Sequence, residues 1–195
     1  MAEGYLVLVV GPSGAGKDSL LDGARAALAG DPRFVFARRE ITRPADSGGE
    51  DHIAVSRSDF EQRRDGGLYA LSWDAHDLGY GIPKSVEADL AAGRIVIANV
   101  SRSVLDEARG RYAHVAILSI TVSPEILAAR LRARGRETEA QIEGRLARAA
   151  AFKVTGPDVI DIRNDGDLAE SVAAFVAALR GLVSGESGSP SPSSA

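Results

Sequence analysis

Cysteine is absent from this chain of 195 residues, and lysine is nearly so. Without thiols there can be no disulfide and no thiolate metal centre, and the composition suits a reducing compartment. Long apolar runs are missing too. The first run, residues 5–10, is too short for the hydrophobic part of a signal peptide or for a membrane span. Net charge is -4, so no basic field argues for nucleic acid. Only three histidines are present, and no histidine–carboxylate pair stands out for general acid–base work. The composition, 45% hydrophobic and 26% charged, is that of a soluble globular protein, and the length suits one domain. A cytoplasmic protein with no nucleic-acid or membrane partner is expected.

The basic residues are themselves lopsided. Of 23, three are lysines, at 17, 84 and 153, which leaves 20 arginines (23 − 3). An arginine bias of this size can reflect genomic composition. The lysine kept at 17 is more telling, because it sits where a slim point charge rather than a planar fork is needed.

Residues 5–10 read as a buried strand, followed by "GPSGAGKDSLL", a near match to the phosphate-binding pattern G-x-x-x-x-G-K-[ST]. A helix is expected at about 18–29, ending near Gly30. Short strands are expected at 34–37 and 52–55, around a loop-like stretch at 43–51. Ser56 and Asp59 mark a capped helix start at about 57–65. A strand over 68–73 turns back through "HDLGYGIP". Helix and strand signals then alternate: helix 84–92, strand 94–99, and a helix capped by Ser101. After them come strand "VAILSITV", a helix from Pro124 to Arg134, a helix over 138–152, strand "VIDIRN" and a helix over 167–182. This rhythm predicts an α/β fold, a P-loop NTPase-type parallel sheet flanked by helices. Residues 38–82 break the rhythm and read as an inserted β-rich substrate lobe. The domain is drawn as 1–183, with its core at about 4–37 and 83–183 and a helical lid at about 130–152. Residues 184–195, "SGESGSPSPSSA", read as a disordered tail. There is no internal repeat.

In the loop, Gly11, Gly14 and Gly16 permit tight turns, and Pro12, Ser13 and Ala15 complete the cradle. The dipole of the following helix and Lys17 would hold the phosphates of ATP. The hydroxyl expected after the lysine is replaced by Asp18. Two readings stay open for that carboxylate, a ligand for Mg²⁺ or a favourable charge at a helix start. Ser19 is the second candidate for the metal, about 100° further around the helix. The other position that commonly holds the metal, the end of a core strand, is Asn99 rather than an acid.

The segments "GPSGAGKDSLL", "ITRPADSGGEDHIAVSRSDF", "YGIP" and "RLRARGRETEAQIEGRLARA" resemble the guanylate kinase superfamily. Within it, "GKDSLL", "ITR", "ALSW", "YGIP", "NVSR" and "RGRE" resemble most the family of ribose 1,5-bisphosphate phosphokinases. The likeness spans about residues 5–180, and its specificity lies in the order and spacing of the motifs. It implies that Arg43 binds the acceptor phosphate, that His52 and Tyr80 stand where phosphate-gripping tyrosines are found, and that Asn164 lies in a loop beside adenine. It implies that Arg134 and Arg145 are catalytic lid arginines, in a group with Arg130, Arg136 and Arg148. A solvated arginine-rich face is the alternative for that group. Arg39, Ser101 and Arg102 are acceptor-site candidates, Arg39 and Arg102 by neighbourhood alone. Trp73 is either a core residue of the lobe or a stacking platform.

The departures are as informative. The superfamily's second phosphate-binding arginine is lost, since Ala45 and Asp46 follow Pro44. The glutamate that reads guanine falls near Leu71 or Ser72, and the aspartate at Ser101. A site that loses groups hydrogen-bonded to its substrate loses discrimination of order 10⁴. The resemblance therefore implies an ATP- and Mg²⁺-dependent kinase acting on ribose 1,5-bisphosphate in phosphonate degradation, with 5-phosphoribosyl 1-diphosphate as product. The alternatives are a guanylate kinase with an altered base pocket and a guanylate-kinase-like binding module without catalysis.

Overall fold

The computed structural model describes residues 4–45, 50–135 and 137–184. Strand β1 (Tyr5–Val10) runs into the glycine-rich loop and helix α1 (Lys17–Ala27). Strands β2 (Phe34–Phe36), β3 (Glu40–Ile41) and β4 (Ile53–Ala54) follow, then α2 (Arg57–Asp65). A hairpin, β5 (Tyr69–Ala75) and β6 (Leu78–Pro83), leads to α3 (Val86–Ala91) and β7 (Ile95–Asn99). A 3₁₀ turn over Arg102–Val104 opens into α4 (Leu105–Arg111), followed by β8 (Val115–Thr121). The chain closes with α5 (Pro124–Arg134), α6 (Glu139–Ala150), β9 (Val159–Arg163) and α7 (Leu168–Ser184).

The main sheet is parallel throughout, in the order β2-β7-β1-β8-β9. Both its faces are covered, which is why its strands read as unbroken apolar runs. Along β1, Val7 and Val9 pack on one side with Leu20, Phe175 and Leu179 of the α1 and α7 layer. Leu6, Leu8 and Val10 pack on the other, with Val104 and Leu105 and with Trp73 and Ile82 of the second sheet. The central position of β1 places the glycine-rich loop at the carboxyl end of the sheet, where α/β folds bind ligands.

The second sheet, β4-β3-β6-β5, is built from the middle of the chain. Its hairpin turns on His76 and Asp77, both at positive φ (52° and 61°), as a two-residue turn matched to strand twist requires. Ser56 accepts a hydrogen bond from the Asp59 amide at 3.0 Å and caps α2. A buried carboxylate locks this lobe. Glu40 is only 6% exposed; it accepts from the Tyr69 hydroxyl at 2.6 Å and from Arg63 Nη1 at 2.5 Å. Burial, and then the Glu40 bond, push the Tyr69 hydroxyl well above the usual tyrosine range, so it remains a donor. One acid thus joins β3, β5 and α2.

Several boundaries differ from the sequence reading. Two-residue β3 carries no readable period and was not expected. Helix α3 starts later than residue 84 because the Lys84 amide donates to the Leu68 carbonyl at 2.8 Å, which keeps the chain in the sheet. Ser101 does cap, through the Ser103 amide at 3.3 Å, but what it caps is a 3₁₀ turn before α4. Helix α7 runs through Ser184, and residues 185–195 of the expected tail lie outside the described residues, as do Asp46 and Arg136.

The Glu40 lock has a measurable energy. Tyr69→Phe leaves one oxygen of a buried carboxylate without its donor and is expected to cost about 1–3 kcal/mol. A urea unfolding midpoint compared with the wild type checks it.

Candidate active site

The loop between β1 and α1 has to turn its amides inward, and residue conformations allow that. Gly14 and Gly16 have φ of 92° and 85°, the left-handed region that side chains disfavour. A Cβ on Gly16 would also lie 2.5 Å from Asn164 Nδ2. Asn164, 2% exposed, donates from that nitrogen to the Ala15 carbonyl at 2.7 Å and so pins the loop from behind. Its Oδ1 is buried without a hydrogen-bond partner among the described residues. In this structure Asn164 braces the phosphate loop.

Lys17 lies over the mouth of the loop. Its ammonium donates to the carbonyls of Gly11 at 2.7 Å and Pro12 at 3.1 Å. Burial lowers its proton affinity below the usual lysine value; Asp18 and Glu50 act against that shift, and Arg39 adds to it. The charges of the phosphate loop and the second sheet therefore sense one another.

A cavity of about 230 Å³ opens here, lined by Ser13, Gly14, Gly16, Lys17, Asp18, Ser19 and Arg134. Helices α5 and α6 deliver the arginines. Gly135, at φ 62°, ends α5 just after Arg134, and Thr138 with Gln141 forms a full capping box for α6. Arg145 Nη1 donates to Ser13 Oγ at 2.7 Å, and its Nη2 lies 3.2 Å from Glu137. Arg130 donates to the Asn164 carbonyl at 2.8 Å, with Nη1 buried and unpartnered among the described residues. Arg134 and Arg145 are thus brought to the loop, while Arg148 is exposed on α6. At the edge of the cavity, Asn99 Nδ2 donates to Asp18 Oδ1 at 3.2 Å. The two residues that depart from the usual metal-site pattern touch each other.

The acceptor candidates sort into three groups. Arg39 reaches across to the main sheet: Nη1 donates to the Asn99 carbonyl at 3.2 Å and Nε to Glu50 at 2.8 Å, with a second bond from Nη2 to the same carboxylate. Its guanidinium lies 5.2 Å from the Tyr80 ring, which stacks on Trp73 at 5.4 Å and 2°. Trp73 is buried in the core beneath the lobe. His52 is buried, with its two ring nitrogens 3.0 and 3.1 Å from the carbonyls of Glu50 and Arg43. It steadies the Arg43 backbone, and Arg43 Nε is buried with no partner among the described residues. Ser101 and Arg102 stand apart: the Ser101 hydroxyl accepts from the Ser103 amide, and Arg102 lies over the Phe152 ring at 5.1 Å. Sequence reasoning missed Glu50 and Glu137, the carboxylates that orient Arg39 and Arg145. Neither sits in a spacing that marks a partner: Glu50 lies 11 residues from Arg39 across a loop, and Glu137 lies just before the N-cap of the helix that carries Arg145.

No family model matches the chain. Curated relatives do. It is 47% identical over 174 residues to a ribose 1,5-bisphosphate phosphokinase of Brucella melitensis, covering 89% of this chain and 91% of that one. It is 51% identical over 168 residues to that of Thiobacillus denitrificans (86% and 88%) and 55% over 149 residues to that of Acidiphilium cryptum (76% and 79%). Among solved structures, guanylate kinase from Anaplasma phagocytophilum superposes with a TM-score of 0.65 at 21% identity, covering 93% of this chain and 87% of that one. A gluconokinase from Sinorhizobium meliloti gives 0.51 at 17%, with 95% and 97% covered. The two structures establish the guanylate-kinase-like kinase fold. The curated relatives establish the family: this chain belongs to the ribose 1,5-bisphosphate phosphokinases.

Proposed function

We propose that the chain transfers the γ-phosphoryl group of ATP to the 1-phosphate of ribose 1,5-bisphosphate, giving 5-phosphoribosyl 1-diphosphate and ADP. The observation that carries this reading is that, beside the glycine-rich loop and its lysine, the positions implied for guanine-reading acids (71, 72 and 101) hold no acid. Of the positions implied for guanine-reading acids, Leu71 is buried, and the Ser101 hydroxyl is taken by its own turn. The activity for which the curated relatives are named agrees with it. A place in phosphonate degradation, in the cytoplasm, accompanies the reading. The cysteine-free composition supports that location, and no described helix is long and apolar enough to cross a membrane.

The chemistry follows from the groups at hand. A phosphate monoester, with its second pKa at about 6, is largely dianionic at neutral pH. Its oxygen attacks the γ-phosphorus, the bond to the bridging oxygen of ADP breaks, and no general base is needed. The protein's part is position and charge. The inward amides and Lys17 hold the donor phosphates, while Arg134 and Arg145 bracket the transferring group from the lid. Arg43 faces the acceptor phosphate.

Mg²⁺ fits the donor set. Among the described residues no group of three or more His, Cys, Asp or Glu forms a metal cage. Mg²⁺ needs none, since it keeps several waters and takes one or two carboxylates with substrate phosphates. Asp18, exposed at the cavity and bonded to Asn99, is the residue that would hold it, with Ser19 next. When bound, the ion neutralises charge on the donor phosphates. A carboxylate placed on the loop side of the Asp18–Asn99 contact leaves the local charge as a strand acid would.

Three measurements test these assignments. Steady-state kinetics with ribose 1,5-bisphosphate and with GMP should differ by at least about 10³-fold in kcat/KM; comparable efficiency on GMP would overturn the acceptor. Lys17→Ala should cut kcat by roughly 10² or more in a folded protein, and Arg145→Ala should lower kcat more than acceptor affinity. Rate against Mg²⁺ concentration should show a raised requirement in Asp18→Asn, partly restored when Asn99→Asp is added. An unchanged requirement makes Asp18 a helix-start charge only.

A further inference from the structure

The acceptor side holds a carboxylate that phosphate chemistry does not call for. An acceptor with two phosphates is repelled by an acid, by about 4 kcal/mol per unit charge at 4 Å where the effective dielectric is near 20. Yet Glu50 sits at the junction of the two sheets, its side chain 21% exposed.

Its neighbour explains how it is tolerated and what it presents. Arg39, with its side chain 11% exposed, gives Nε and Nη2 to Glu50 and Nη1 to the Asn99 carbonyl, and turns a face to Tyr80. Three of the five N–H groups of its fork are spent on the protein. An ionised carboxylate has about four acceptor positions, of which this fork takes two. The rest border a recess of about 60 Å³ shared with Asp18, Asp51 and Asn99. The other acids of the wall each have one partner: Asp51 meets Arg38, which lies outside the lining, at 2.6 Å, Asp22 meets Arg25 at 3.1 Å, and Asp18 accepts from the Asn99 amide. Each of these bonds uses one carboxylate oxygen, so acceptor positions remain on four acids of the wall, beside the donors left on Arg25 and Arg39. The recess admits several groups the size of a hydroxyl, at roughly 10–15 Å³ each. A wall with this surplus of acceptors favours donors. In a sugar bisphosphate the phosphates are acceptors, and the ring hydroxyls are the donors.

We propose that Glu50 determines acceptor specificity: its carboxylate, oriented by Arg39, accepts a hydrogen bond from a ribose hydroxyl of the acceptor. This rests on the sugar-phosphate reading above. The carboxylate offsets its repulsion of the phosphates by that bond and by the Arg39 cation, and it penalises phosphorylated compounds that bring no hydroxyl to the recess.

The test compares ribose 1,5-bisphosphate with its 2-deoxy and 3-deoxy analogues, on the wild type, Glu50→Gln and Glu50→Asp, each verified as folded by thermal melting. In the wild type at least one deoxy acceptor should lose about 10- to 100-fold in kcat/KM, the loss expected for a bond to a charged group. In Glu50→Gln that gap should shrink to within about 3-fold, while Glu50→Asp, which keeps the charge, should retain part of it. Equal loss on all three acceptors would overturn the proposal and leave Glu50 as a brace for Arg39. An equal gain on all three would also overturn it, showing a carboxylate that merely competes with phosphate. If the wild type turned over none of the three, the acceptor reading would fail first, and the two failures are distinct.

Discussion

The tight turn between β1 and α1 is the constraint around which the neighbouring elements of this molecule are arranged. Gly14 and Gly16 make the turn possible, and the amide of Asn164 keeps it in place by taking the Ala15 carbonyl. Lys17 bonds to two carbonyls of its own loop, so its charge is already over the site. Parallel pairing of β1 with both β7 and β8 then carries Asn99 and the β9 loop to the same end of the sheet. The loop is thereby flanked by Asn99 and Asn164, from two distant parts of the chain.

Two kinds of arginine stand around the candidate site, and their partners tell them apart. Arg145 holds a serine of the glycine-rich loop and a glutamate that precedes the N-cap of its own helix. Arg39 is locked by two bonds to one carboxylate, a carbonyl and an aromatic face. A guanidinium so constrained acts as scaffold, and the group it presents is its counter-ion. The second sheet is held with similar firmness at its base, where Glu40 joins three elements.

Much of this was legible in the chain itself. The strand–loop–helix context of "GPSGAGKDSLL" is kept, the alternation of strands and helices marked a parallel sheet flanked by helices, and Pro124 and Ser56 marked helix starts that the structure keeps. Those features are local: glycine conformations, capping chemistry and periodicity act over a few residues, and the order of the motifs carried the family resemblance. Strand β3, the late start of α3, the 3₁₀ turn after Ser101 and the pairing of Glu50 with Arg39 were decided by tertiary structure alone. A two-residue strand has no period, and the Lys84 amide stays in the sheet because of a carbonyl 16 positions earlier in the chain (84 − 68). Asn164 reads from sequence as a nucleotide-side residue and in space braces the loop, because β9 pairs beside β8 and brings a buried amide behind Ala15. Residue type and spacing determined which chemistry is present; only the packing of two sheets determined which charges face each other, since a hydrogen bond acts over about 3 Å whatever the distance along the chain.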